Sequence, residues 1–284
     1  MSAVASGPAP VDGTTGVGPA LAAARARLGL IAALFGLAAI AWWSTADRMD
    51  GMDAGPGTAL GALGWFLGVW LVMMAAMMLP SVAPTVALYA RMVRRRTRVA
   101  PFVFTAGYLA TWTAAGLVAY GAFELGRSVL GGELAWDGAG RWVAGGTLVV
   151  AAAYELAPFK DVCLAKCRSP LGFLLGAWRP GAWGAAVMGA RHGAWCVGCC
   201  WALMASLFAL GVMSLAWMAF VAGLIAVEKL LPFGRGVTYA TAGVLLVVGI
   251  ALIAAPDAVP GLTVPGDGGM TGMDAAPAMP MRQP

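Results

Sequence analysis

All five cysteines of the 284-residue chain lie between positions 163 and 200, and the single histidine, His192, lies among them. On an α-helix, His192, Cys196, Cys199 and Cys200 share an arc of about 100°, so an imidazole and three thiols form one stripe. Cys163 and Cys167 stand one helical turn apart and can likewise face the same way. Thiolates and a neutral imidazole at these spacings suit a soft or borderline ion, Cu(I) or Zn(II). Cysteine is also a small apolar residue used in helix packing, so passive packing stands beside the metal reading. Six donors exceed the three or four that one such ion takes, which leaves some surplus, some for a second ion, or a transfer between them.

Softer donors occur elsewhere. Met73, Met74, Met77 and Met78 form two pairs one turn apart within a single apolar block, and Met73 and Met77 are additional candidate ligands. Two distant segments read alike, Met49-Asp-Gly-Met52-Asp and Met270-Thr-Gly-Met273-Asp. Thioethers bind Cu(I) and survive in an oxidising compartment, so these four methionines form a candidate collection site on the exported face. Glu155, Arg191, Glu228 and Lys229 are ionisable residues in or at the edge of apolar stretches, where charge is costly and usually paired or functional.

The elements that must position these residues are membrane helices. Hydrophobic residues make up 61% of the chain and charged residues 11%, far from a soluble domain. The apolar residues come in blocks near the length that spans a bilayer, and backbone in lipid must be helical or in a closed barrel. The expected fold is therefore an all-α bundle of about seven transmembrane helices over residues 25–256. The spans start at Leu28, near Leu60, and at Pro101, Trp142, Gly193, Leu215 and Val237, with a short apolar stretch at 171–178 between the fourth and fifth. The fourth reaches Phe159, and Pro80 and Pro84 should kink or break the second. Residues 1–24 read as a disordered tail and 257–284 as a disordered, Met-rich exported tail. The first span reads as an uncleaved anchor rather than a signal peptide.

Of the eighteen Lys and Arg, thirteen fall on the N-terminal side of the membrane and only four on the other. That bias places the N-terminus in the cytoplasm and the C-terminus outside, in a bacterial plasma (inner) membrane protein. It also accounts for the net charge of +5 without nucleic acid as a partner. The cysteines then lie at the cytoplasmic end, where thiols stay reduced.

Several ordered blocks carry a family resemblance. They are Trp70–Pro80 (WLVMMAAMMLP), Tyr154–Lys160 (YELAPFK) running into Cys163-x3-Cys167-Arg-Ser-Pro170, Arg191–Met204 (RHGAWCVGCCWALM), Gly211–Met213, Trp217-Met218 and Glu228–Pro232 (EKLLP). Over roughly residues 60–235 the chain resembles a bacterial family of predicted metal-binding integral membrane proteins of unknown function. The resemblance implies metal binding but no reaction. Glu155 and Ser214 depart from the Gln and Asn usual there, and the first adds a charge.

The function expected is handling of a soft or borderline ion, copper ahead of zinc, in transport, delivery or homeostasis, with the lipid bilayer, the ion and a metallochaperone or membrane complex as partners. Two rivals remain. Cys196-Val-Gly-Cys199 has the spacing of a thiol-disulfide oxidoreductase, but no thioredoxin-like βαβ pattern surrounds it. A non-catalytic subunit or assembly factor of a membrane complex is the other. No catalytic residue is assigned, and no nucleotide-binding loop, Ser-His-Asp arrangement or haem C-x-x-C-H is present.

Overall fold

A computed structural model describes residues 17–49, 60–93, 99–130, 139–211, 214–230, 235–259 and 262. Within them the fold is all helical: α1 Val17–Met49, α2 Leu63–Val93, α3 Ala100–Leu130, α4 Arg141–Glu155, α5 Pro158–Arg168, α6 Pro170–Gly176, α7 Gly181–Leu210, α8 Leu215–Leu230 and α9 Arg235–Ala254, then a 3-10 turn at Pro256–Ala258. Five helices are long and apolar enough to cross a membrane: α1, α2, α3, α7 and α9. The helices at the expected fourth and sixth spans, α4 and α8, have 15 and 16 residues, shorter than the ~20 that cross a hydrocarbon core untilted.

Burial ranks the helices. In α2 and α7, 61% of the most apolar window is buried, against 22–33% in α1, α3 and α9. The first two are therefore central, and the others turn large apolar faces outward, Ile40, Val118 and Val247 among them. α7 is the hub, packing against α3, α4, α5 and α8, while α9 backs α4 and α1 backs α2. The α3–α7 crossing is backbone against backbone. A Cβ on Gly189 would lie 1.9 Å from the Phe104 carbonyl oxygen, and one on Gly107 would lie 2.2 Å from that of Ala186. Only glycine permits this approach, since any Cβ would overlap the facing backbone.

Four boundaries differ from those expected. α1 starts at Val17, inside the stretch expected to be a tail; residues 1–16 lie outside the described residues. α2 runs unbroken through Pro80 and Pro84, and Ser81 Oγ donates to the Met78 carbonyl at 2.8 Å. The fourth span does not reach Phe159, because Pro158 disfavours helix at the residue before it; Ala157 is extended and Pro158 opens α5. α7 starts at Gly181, twelve residues ahead of the expected Gly193, so His192 sits inside a helix rather than at its entry. The polar pair Arg191-His192 marks no boundary, because small residues on both sides continue the helix.

Candidate metal centre

The break at Ala157 sends α5 back across the bundle and brings Cys167 against α7, where Cys196 and Cys199 stand one turn apart. The sulfurs of Cys167, Cys196 and Cys199 all lie within 4.8 Å of one another. Cys199 Sγ reaches Cys167 Sγ at 3.7 Å and the Cys196 carbonyl at 3.1 Å. The three cysteines expected on the interior face of α7 are buried, each 2% exposed. All five cysteines are free thiols.

The other three expected donors lie around this trio. Cys200 is buried on the same face, and its sulfur turns back to the Cys196 carbonyl at 2.9 Å. Cys163 is half-buried on α5 and packs on Gly198, where an added Cβ would meet its sulfur at 2.8 Å. His192 is buried, with Phe173 edge-on at 4.9 Å and Phe104 and Tyr108 beside it. Its Nδ1 has no hydrogen-bond partner. His192, Cys167 and Cys196 line one cavity of about 120 Å³, with Tyr108, Ser81 and Lys229 among the other walls. An orphaned imidazole nitrogen and two thiols around one small cavity form a donor set suited to a soft ion.

Cys196 is the best-connected sulfur. Tyr108 Oη lies 3.0 Å from it, and Lys229 Nζ donates to it at 3.0 Å. Lys229 also reaches Ser81 Oγ at 3.5 Å and Met78 Sδ at 3.9 Å. Met73, Met74, Met77 and Met78 are all buried, and Met78 is the one joined to Cys196 through Lys229. On α5, hydrogen bonding with Cys196 and Cys199 raises the Cys167 thiol pKa above its ordinary range, and burial adds to this. Burial raises that of Cys163 as well.

Beside the thiols lies a buried ion cluster. Lys160 donates to Glu155 Oε2 and, at 2.7 Å, to Glu228 Oε2, tying α4, α5 and α8 together. Arg168, next to Cys167, donates to the Glu228 backbone carbonyl. The Glu228 carboxylate is buried and its partner Lys160 wholly so. Burial lowers the Lys160 pKa, and Glu228 opposes that. Arg191, grouped with these ions from its position, is exposed on α7.

Sequence reasoning missed Lys160 and Tyr108. By sequence Lys160 is one of the thirteen basic residues on the cytoplasmic side, although Pro158 two residues earlier signals the break that folds it back onto Glu155. Tyr108 carries no such signal, since its place depends on the glycine crossing of α3 and α7. Met49 is the last residue of α1; Met52, Met270 and Met273 lie outside the described residues.

A profile of the family PpoB2, described as a copper chaperone, matches residues 67–252, well over half of the chain and every cysteine in it. No curated protein and no solved structure matches.

Proposed function

The chain belongs to the PpoB2 copper chaperone family, and from that premise we propose that it is a multi-pass membrane protein that binds Cu(I) at Cys167, Cys196 and Cys199 and passes it on. The single observation that carries this reading is the approach of three free thiols from two helices to within 4.8 Å. Three thiolates make a soft, trigonal set that suits Cu(I); Zn(II), the less favoured ion, would need a fourth ligand. His192, which lines the same cavity as Cys167 and Cys196, is a candidate for that. Cys163 and Cys200 flank the centre and serve as acceptors or donors when the ion moves.

The same reading places the protein in a bacterial plasma membrane with its N-terminus in the cytoplasm and its C-terminus exported. In it α4 and α8 complete seven spans around the hub helix α7. The thiols then face a reducing compartment. The methionines at 49, 52, 270 and 273 form a second, weaker Cu(I) site outside, feeding or draining the bundle. A variant ending at Pro260 with Met49→Ala and Met52→Ala tests that site by its Cu(I) stoichiometry.

The deciding experiment is metal analysis and Cu(I) titration of detergent-purified full chain beside the triple variant Cys167→Ser, Cys196→Ser, Cys199→Ser. One tightly held equivalent that the variant loses supports the reading; equal binding by both removes it. A thiol oxidoreductase is the second reading, favoured by the contact of the Cys167 and Cys199 sulfurs at 3.7 Å. Oxidant followed by mass mapping would then give a Cys167–Cys199 disulfide that forms and reduces reversibly.

A further inference from the structure

The cavity beside the thiol centre is larger than one ion requires. Its volume of about 120 Å³ approaches the ~150 Å³ of a cavity that holds benzene. Cys167 and Cys196 stand on its wall and Cys199 does not, so the cavity meets the trio along one edge. His192 lines it as well. That residue is 3% exposed, and its Nδ1 is buried with no hydrogen-bond partner. A buried polar atom left bare at a cavity wall is a position that a bound molecule can satisfy.

Charge narrows what that molecule is. Arg168 and Lys229 are both on the wall, and no acidic residue is. Arg168 keeps its charge but is bonded at Glu228, beside the buried carboxylates of Glu155 and Glu228. Lys229 has no carboxylate partner among the described residues: its ammonium reaches Cys196 Sγ at 3.0 Å, Ser81 Oγ at 3.5 Å and Met78 Sδ at 3.9 Å. A bare Cu(I) cation meets positive charge here, whereas an anion is drawn in.

We propose that the cavity is the docking site of a small anionic thiol that carries Cu(I) to the centre, with its carboxylate on Lys229 and its sulfur toward Cys167 and Cys196. The cargo rests on the copper reading; the docking of the thiol does not. Cu(I) with two such thiolates is an anion, the sign this wall attracts. Thr85, also on the wall, adds a hydroxyl for the carboxylate. The volume lies below the ~300–1,000 Å³ of sites for larger ligands, which selects a carrier of about the size of cysteine over a long peptide. Handover is ligand exchange with no electron transferred. Each carrier sulfur that leaves Cu(I) departs as a thiol with the proton of the cysteine that replaces it, and the third cysteine releases its proton to water.

His192 is the only histidine in the chain, so isotope-labelled histidine gives a single magnetic resonance signal from the cavity wall. In the metal-free, detergent-purified full chain under reducing conditions, mercaptopropionate should shift that signal saturably. Cysteamine, with an ammonium in place of the carboxylate, should need concentrations at least about tenfold higher, the weight of a charge-assisted contact. Ser81→Leu, which fills the cavity from a residue outside the sulfur set, should remove the shift. Copper transfer is then followed from preformed Cu(I) complexes of mercaptopropionate and of neutral mercaptoethanol. The native chain should take up Cu(I) about tenfold faster from the first, and Lys229→Met should bring the ratio of the two rates close to one, whatever it does to the final affinity. No saturable shift, a shift that survives Ser81→Leu, or equal shifts by mercaptopropionate and cysteamine would overturn the docking site. A saturable shift with equal transfer rates from both complexes overturns the carrier role. A chain that gives the shift and takes up no Cu(I) from either complex overturns the copper reading and leaves the docking site standing.

Discussion

Lys229 Nζ lies 3.0 Å from Cys196 Sγ, so a cation sits against the one sulfur of the trio that also touches Tyr108. Of the other two sulfurs, that of Cys199 stands one turn along α7 and that of Cys167 comes from α5. Cu(I) with three thiolates is a doubly negative unit, and placing it inside a helix bundle requires positive charge beside it. Lys229→Met removes that charge while keeping most of the side chain's volume. The expected outcome is Cu(I) affinity lower by about tenfold to a hundredfold, the weight of a charge-assisted contact worth ~1.5–3 kcal/mol. Competition against a chromogenic Cu(I) chelator measures it, and affinity equal to native would show that the ammonium plays no part in holding the ion.

The two cysteines of α5 should behave differently although they stand one turn apart. Cys167 lies with the α7 pair, while Cys163 packs on Gly198 outside the trio. Cys167→Ser should lose the tight Cu(I) equivalent, and Cys163→Ser should keep it. Titration of each variant decides, and equal losses would make the centre larger than three sulfurs.

How much of this was legible follows from which interactions are local. The stripe of His192, Cys196, Cys199 and Cys200 comes from helical periodicity, and its burial follows because a polar stripe in an apolar helix faces inward. Periodicity cannot say which donors converge, since that depends on α5. Cys200 is on the stripe but turns back to its own helix, whereas Cys167, from a separate segment, completes the trio. The bend that brings it there was written in Ala157-Pro158, yet the apolar run through Phe159 outweighed it. Tyr108 and Lys160 become visible only once α3 crosses α7 and α5 folds back, both contacts between residues far apart in sequence.

Gly189 tests that crossing. A methyl group there would sit 1.9 Å from the Phe104 carbonyl oxygen, so Gly189→Ala must push α3 away from α7. Overpacking of this kind costs roughly 1–3 kcal/mol, and the displaced Tyr108 should loosen from Cys196. A lower thermal unfolding midpoint together with weaker Cu(I) binding is expected. An unchanged midpoint would mean that the helices are not in backbone contact.

Lys160 is expected to be the most sensitive charge in the chain. Lys160→Met leaves Glu155 and Glu228 buried without their cation, and removing one partner of a buried ion cluster costs about 3–5 kcal/mol. Adding Glu155→Gln and Glu228→Gln to the variant should restore much of that loss, because the triad is then neutral. Chemical or thermal unfolding in detergent reads both effects. A Lys160→Met protein as stable as the native one would mean that the cluster is open to water.

Thiol labelling separates the sulfurs by access and by ionisation together. Cys163 and Cys167 are half-buried, and Cys196, Cys199 and Cys200 are buried, so a maleimide should reach the α5 pair first. Burial raises the Cys163 pKa, and hydrogen bonding to Cys196 and Cys199 raises that of Cys167. A raised pKa leaves less thiolate, the reactive form, at a given pH. Both residues should therefore label slowly at neutral pH and faster as pH rises through and beyond the ordinary thiol range, with Cys167 the slower of the two. Cu(I) should then protect Cys167 while leaving Cys163 as reactive as before, and a Cu(I) chelator should restore the first pattern. Mass spectrometry of the labelled peptides between Lys160 and Arg168 counts both. Equal protection of the two would place Cys163 among the ligands, and protection of neither would take Cys167 out of the centre.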